Sequence, residues 1–314
     1  MPKSPQNSIE LNTSLYRAIL LLCIAFGASI LTSCHKESDS LSSEESQTSN
    51  NESAQESTTN ELDDIATSIL DNSPISGAAG GRICLEDDRF SCLGTTISFS
   101  EVNANRTSGT ATITFPSTGC ADKKGNVRKG SIVINWWGGR WFTKGSSHSV
   151  SLHEYSINDV SISGSQKVTC IAFKEKPLSV TWTITANHTS VWPDGSTATR
   201  ILNKIRKWDH TETEDTFTVT NGPASVNFAE GTNRHGKVYK VYITTPLVYL
   251  GSCAKANKVF IPVMGEKVIT RISGTGTTKS LTVNYGDGTC ENSYTVTSGP
   301  FVKTLIAKND SSND

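Results

Sequence analysis

One short segment combines aromatic and cationic residues at a spacing that suits ligand binding. Residues 134–142 contain Trp136, Trp137, Arg140 and Trp141 around Gly138-Gly139. If the two glycines form a two-residue turn, Trp136 faces Trp141 and Trp137 faces Arg140 on alternate sides of a hairpin. The functional interpretation is an exposed aromatic platform that stacks on sugar rings or on a partner. The structural interpretation, which the sequence favours, places Trp136 and Trp141 in the core and Trp137 at a shielded edge.

Catalytic chemistry has less support in the sequence. No Gly-x-Ser-x-Gly motif is present, although serine hydrolases of the α/β type place their nucleophile on such a turn. Histidines and carboxylates are scattered without a signature: His148, His153, His188, His210 and His235, and Glu154, Asp159, Asp194, Asp209 and Glu230. No Cys-x-x-Cys pair occurs either, so we predict no metal and no cofactor. Whether the chain is an enzyme stays open, with a non-enzyme favoured.

Residues 17–34 have the order of a secretory leader. Arg17 precedes an apolar run from Ala18 to Leu31, which is too short to cross about 30 Å of hydrocarbon. The run ends in Leu31-Thr32-Ser33-Cys34, which resembles the lipobox of bacterial lipoproteins. The resemblance implies that residues 1–33 are a signal peptide and that Cys34 is lipidated, with a diacylglycerol thioether and a further acyl chain such as palmitate. Several acyl chains make a lasting membrane anchor.

The residues that follow Cys34 imply a destination within that family. His35, and not the aspartate that retains such proteins at the inner membrane, comes directly after the cysteine. Lys36, Glu37 and Asp39 then resemble the surface-export signal of Bacteroidota lipoproteins. The resemblance implies an outer-membrane protein, on the periplasmic face or at the cell surface.

Six cysteines remain for disulfides once Cys23 is assigned to the leader and Cys34 to lipid. They are Cys84, Cys92, Cys120, Cys170, Cys253 and Cys290. An even number in an exported chain predicts up to three disulfides, with fifteen possible pairings. We predict that Cys253 pairs with Cys290, because an apparent hairpin over residues 267–285 brings its flanks together. Cys84 and Cys92 bracket a short polar loop and are predicted to pair locally.

The segment after Cys34 is acidic and poor in apolar residues. Residues 35–64 hold nine acids and one base, Lys36, in a chain of net charge −1. Because little can be buried against the entropy of ordering it, we predict a disordered Ser/Thr/Glu-rich linker over residues 34–64. Leu62, Ile65 and Ile69 recur at helical spacing, which predicts one short helix within 61–70. The basic residues beyond this segment are too widely spread along the chain for nucleic-acid binding.

Beyond Gly94 the apolar residues alternate with polar ones, which is typical of strands with one buried face. Examples are Ile132 with Ile134, and Val180 with Trp182 and Ile184. Short Gly- and Asn-containing turns separate these runs and favour antiparallel neighbours. We predict an all-β ectodomain over residues 65–309, as one domain or two subdomains, built as an antiparallel sandwich, a meander or a barrel-like sheet. Residues 310–314 are predicted to be a disordered tail. The segment Thr197–Trp208 fits a helix as well as a strand.

One turn near the C-terminus resembles that of a known module. Tyr285-Gly286-Asp287-Gly288-Thr289 resembles the aromatic-Gly-Asp-Gly turn of PKD domains, which are immunoglobulin-like modules of bacterial surface proteins. The resemblance implies a β-module of the cell surface.

Together these observations predict an outer-membrane-anchored lipoprotein whose β-rich ectodomain binds or adheres to a glycan or an envelope protein. The alternatives are a secreted glycan-active hydrolase and a structural subunit of a surface polymer. The predicted partners are the membrane, through Cys34, and the glycan or envelope protein, but not nucleic acid.

Overall fold

The computed structural model describes residues 43–71, 87–123, 125–223, 227–257, 259–272 and 278–307. The predicted signal peptide, Cys34, Cys84 and the predicted tail at 310–314 lie outside these ranges. No helix within the ranges has the length and apolarity needed to cross a membrane.

The described chain is one long helix and fourteen strands. The helix α1 covers Ser43–Asp71, a 3₁₀ turn covers Asp88–Phe90, and a π-helical turn covers Cys253–Asn257. The strands are β1 Thr96–Ser100, β2 Ser108–Ala121, β3 Val127–Trp137, β4 Ser147–Ile157, β5 Val160–Glu175, β6 Leu178–Val191, β7 Thr197–His210, β8 Asp215–Asn221, β9 Ala229–Thr232, β10 Val238–Leu250, β11 Met264–Ile272, β12 Thr278–Asp287, β13 Ser293–Ser298 and β14 Phe301–Ile306.

All fourteen strands form a single antiparallel sheet, which confirms the all-β prediction. Nearly every strand pairs with its neighbours in sequence, from β1 to β8 and from β10 to β14. Strands β8 and β9 share the gap between β7 and β10, with β9 pairing near one end of β7 and β8 near the other. Of the three predicted architectures, this order is that of a meander.

The apolar residues of the predicted alternation lie on the buried face of the sheet. Val180, Trp182 and Ile184 on β6 are all buried, and so are Ile132 and Ile134 on β3. Asn158 and Asp159 both adopt positive φ between β4 and β5, as a two-residue hairpin turn requires. The segment 197–208, which also fitted a helix, is strand β7, because it pairs with β6 along its whole length.

Helix α1 is enclosed by the curve of this sheet. Of the residues from Glu45 to Asp71, only Asp64 and Asp71 are exposed. Its side chains contact strands as distant in sequence as β3, through Arg128, and β13, through Ser298. The short helix predicted at 61–70 is confirmed as the end of α1. The prediction of a disordered linker is wrong for residues 43–64, because the sheet supplies polar partners that offset the lack of apolar side chains.

The hydrophobic interior falls into two main clusters under one continuous sheet. One cluster joins the C-terminal part of α1, including Leu62, Ile65 and Ile69, to strands β2–β5 and the start of β7. The other lies mainly under β5–β13 and contains no residue of α1. The helix therefore packs by apolar contact over its last third only.

Two disulfides stabilise the ends of the sheet. Cys253 is bonded to Cys290, as predicted. Cys92 is bonded to Cys120, so the predicted local pair of Cys84 with Cys92 is wrong. The reason is that Cys92 lies in the loop beside the end of β2, where the Cα atoms of Cys92 and Cys120 are 5.5 Å apart. Cys170 is a buried free thiol on β5.

Candidate functional site

The inner face of the sheet carries basic residues that meet the acidic helix. Arg200, Lys204 and Arg206 alternate along β7, in phase with the buried Leu202. Lys267 on β11 and Arg128 on β3 also point inward and are at most 2% exposed. Each lies opposite a polar residue of α1, so the first two thirds of the helix are held by charge and hydrogen bonds instead of apolar packing.

Two ion pairs at the centre of this interface are fully buried. The Arg200 guanidinium donates from Nη2 and Nε to the two carboxylate oxygens of Glu52, at 2.8 and 3.1 Å. The Lys267 ammonium donates to Glu56 Oε2 at 2.6 Å and lies 3.7 Å from Glu52. Buried charges of this kind persist only when they are paired, because isolated desolvated ions are costly.

The pKa values of these groups follow from burial and their partners. Burial would raise the pKa of Glu56, but Lys267, Arg200 and Lys204 outweigh it and lower the pKa to about 2. Burial would lower the pKa of Lys267, yet Glu56 leads the interactions that hold it well above its ordinary value. Both residues are therefore charged at neutral pH.

Towards the C-terminal end of α1 the pairs are less enclosed. Arg128 donates to Glu61 and, at 2.7 Å, to Asp122, which ties the helix to β3 and its loop. Arg206 donates to the buried carboxylate of Asp63. The apolar contacts of Leu62, Ile65 and Ile69 begin in the same stretch of the helix.

A cleft of about 1280 Å³ runs beside the helix. One wall is the polar flank of α1, with hydroxyl and amide side chains at Ser53, Ser57, Asn60 and Ser68. The other wall is aromatic and aliphatic, and its rings are those of Phe217, Tyr249, Phe260, Tyr285 and Tyr294. Lys204 and Arg206 line the cleft between the two walls. Concave sites with a mostly apolar surface and a few placed polar groups are the usual sites of ligand binding.

No family model, curated protein or solved structure matches this chain.

The four residues of the predicted aromatic platform do not share a surface. Gly138 and Gly139 begin a loop that continues to Ser146, and not a two-residue turn, so the predicted cross-strand pairs do not form. Trp136 lies opposite His148 on β4 and is buried in the core beside Phe99. Trp137, on the outer face, is 39% exposed.

Trp141 and Arg140 lie in the loop and have other partners than predicted. The Trp141 ring stacks on Trp182 with centroids 5.4 Å apart, and its indole nitrogen donates to Asp71 at the end of α1. Arg140 lies over the ring of Phe142, while Lys167 lies over Trp137. Trp141 therefore holds the end of the helix, and the predicted Trp137–Arg140 contact is wrong.

The scattered histidines and acids of the sequence do not converge in the cleft. None of His148, His153, His188, His210 and His235 lines it, and neither does Glu154, Asp159, Asp194, Asp209 or Glu230. His188 is buried on β6, where burial and the charge of Arg200 lower its pKa to about 4. The cleft is lined instead by Glu56, Glu61, Asp64, Asp87 and other acids that the sequence analysis did not single out.

The sequence does contain a signal for this site, namely basic residues that share the alternation of buried apolar residues along a strand. On β7 the basic residues at 200, 204 and 206 share the alternation of Ala198 and Leu202. On β11, Lys267 and Arg271 share that of Ile269. An inward-facing cation in a strand needs a buried anion, and the acidic segment upstream is the one source of many carboxylates.

Proposed function

We propose that this chain is an outer-membrane lipoprotein, anchored through Cys34, whose ectodomain binds a glycan in the cleft beside α1. The observation that carries the proposal is the pairing of an aromatic wall with a wall of hydroxyl and amide groups. Sugars present apolar ring faces between polar edges, so a ring stacked on an aromatic side chain can still form hydrogen bonds with polar groups of the same cleft.

The two walls are placed by different parts of the chain. Tyr249 on β10, Tyr285 on β12 and Tyr294 on β13 supply rings from three strands of the C-terminal part of the sheet. The rings of Tyr285 and Tyr294 lie 5.6 Å apart, centroid to centroid. Phe260, at 55% exposure, lies at the more open side of this wall. Because Tyr285 and Tyr294 are each 7% exposed, Phe260 is the most exposed ring of this wall.

The position of α1 limits the reach of the proposed anchor. Eight residues, 35–42, separate Cys34 from the first residue of the helix. Even fully extended they span roughly 30 Å. The ectodomain would then work close to the membrane surface, where envelope glycans are concentrated.

Three carboxylates of the cleft are unsuited to the role of the acid in glycoside hydrolysis. A glycosidase needs a carboxylic acid of raised pKa beside a second carboxylate. Burial would raise the pKa of Glu56, Asp87 and Asp122, but basic partners outweigh burial and lower all three. These groups are carboxylates at neutral pH and cannot donate a proton to a leaving group.

The test compares one aromatic residue of the cleft with one of the outer face. Phe260→Ala and Trp137→Ala both remove an exposed ring, so neither should disturb the core. With the secreted, folded ectodomain on an array of envelope and plant-cell-wall oligosaccharides, we expect binding that Phe260→Ala weakens roughly tenfold, by the loss of about 1.5 kcal/mol of stacking. Trp137→Ala should leave binding unchanged.

Two outcomes would contradict the proposal. Loss of binding in Trp137→Ala alone would move the site to the outer face. An absence of any glycan binding by the wild-type ectodomain would overturn the glycan-binding proposal.

A further inference from the structure

The buried charges around Lys204 do not balance. Four cations, Arg200, Lys204, Arg206 and Lys267, face three carboxylates of α1, those of Glu52, Glu56 and Asp63. Each carboxylate forms an ion pair with a cation other than Lys204. The cluster so defined carries one positive charge in excess.

Lys204 holds that excess. Its side chain is 2% exposed and lines the cleft. Among the described residues its ammonium donates one hydrogen bond, to the neutral amide oxygen of Asn60 at 2.8 Å. An ammonium has three donors, so two have no partner among the described residues.

Two residues that line the cleft each have a buried side-chain atom without a hydrogen-bond partner among the described residues. The two atoms are Arg206 Nε, a donor on the same face of β7, and Glu56 Oε1, an acceptor on α1. Arg206 is fixed by Asp63 and by its position over the Trp182 ring, 5.0 Å from the centroid. The pattern is a cationic donor pair beside one carboxylate acceptor.

We propose that the cleft binds an acidic glycan, whose sugar carboxylate pairs with Lys204 and Arg206 Nε and whose hydroxyl donates to Glu56 Oε1. The inference rests on the proposed function and names the ligand class of the same site. A uronic acid carries both groups on one ring, which matches two donors beside an acceptor. A single surplus charge fits a carboxylate better than a phosphate, which carries about −1.5 to −2 at neutral pH.

The test uses matched acidic and neutral ligands. The ectodomain is titrated calorimetrically with oligogalacturonate and oligomannuronate, and with their methyl esters, in which the carboxylates are neutral. We expect the acids to bind at least tenfold more tightly than the esters. Lys204→Met should weaken binding of the acids by roughly ten- to a hundredfold, since a hydrogen bond to a charged group contributes about 1.5 to 3 kcal/mol. It should weaken binding of the esters much less, because their carbonyl oxygens are uncharged acceptors.

Lys240→Met is the matched control. Lys240 is an exposed lysine of β10, and its loss should change neither affinity. Equal binding of acids and esters, weakened by Phe260→Ala, would overturn the acidic-glycan proposal and leave the glycan-binding function standing. No binding of either, with neutral glycans also failing on the array, would overturn both. Far-ultraviolet circular dichroism of Lys204→Met separates a lost contact from a lost fold.

Discussion

Glu52 of the helix accepts two hydrogen bonds from the guanidinium of Arg200, a residue 148 positions further along the chain. Both side chains are buried, at 0% and 1% exposure. The pair joins the segment that looks most disordered in the sequence to the centre of the sheet. Formation of α1 and closure of the sheet around it are therefore coupled.

We predict that Glu52→Gln destabilises the fold by about 3–5 kcal/mol, because it leaves Arg200 buried without its carboxylate. Urea unfolding followed by circular dichroism measures the change. The matched control is Glu212→Gln, in an exposed loop, which should stay within about 0.5 kcal/mol of wild type. A Glu52→Gln protein as stable as the control would mean that the helix does not depend on this pair.

Lowering the pH should weaken the ion pair that Glu56 of α1 forms with the sheet. The pKa of Glu56 falls from its ordinary 4.5 to about 2 in the folded protein. A carboxylate with a lowered pKa contributes stability that is fully present above pH 4.5 and is lost as the pH falls towards 2. The difference in unfolding free energy between wild type and Glu56→Gln should therefore shrink over this range.

The measurement is a series of urea unfolding curves from pH 6 to pH 2. Glu212→Gln should follow the wild-type curve throughout, because its carboxylate is exposed to solvent. A wild-type advantage over Glu56→Gln that does not change with pH would show that the Glu56–Lys267 pair is not ionic.

Raising the pH should stabilise the fold, because it removes the buried charge of Lys204. Burial, together with Arg206 and Arg200, lowers its pKa to about 8, against the opposing pull of Glu56 and Asp63. Because the unfolded chain binds this proton up to pH 10.5, the unligated wild type gains stability between pH 8 and 10.5. Relative to Lys204→Met, the gain should be on the order of 3 kcal/mol.

Thermal or urea unfolding of both proteins from pH 7 to pH 10.5 tests this sign. Titrations of the other lysines and the tyrosines are common to both proteins and cancel in the difference. Wild type that loses stability relative to Lys204→Met on raising the pH would show that Lys204 has an anionic partner within the protein.

The disulfide pairs give a covalent test of the fold. We expect a non-reducing peptide map to link Cys92 to Cys120 and Cys253 to Cys290, with Cys170 alkylated only after unfolding, since it is buried. Replacing Cys253 and Cys290 by serine should cost about 2–5 kcal/mol. A peptide that links Cys84 to Cys92 would contradict the position of β2.

Local patterns sufficed for the strands, one disulfide and the last turns of the helix. Alternation at Val180, Trp182 and Ile184 marks a half-buried strand whatever lies across from it. The Cys253–Cys290 pair followed from a hairpin, which is a short-range feature. The turn at Gly138-Gly139 failed because two glycines permit a tight turn without requiring it.

The amino-acid sequence by itself determined that the chain is an antiparallel sheet, since apolar and polar residues alternate along the strands and short turns join them. Only the tertiary structure decided that residues 43–64 are a buried helix. Their serines, asparagines and glutamates favour water when considered alone, and burial becomes favourable only when Arg200, Lys267 and Arg128, distant in sequence, meet them on the inner face. The cleft and the surplus charge of Lys204 arise only where the helix meets the inner face of the sheet.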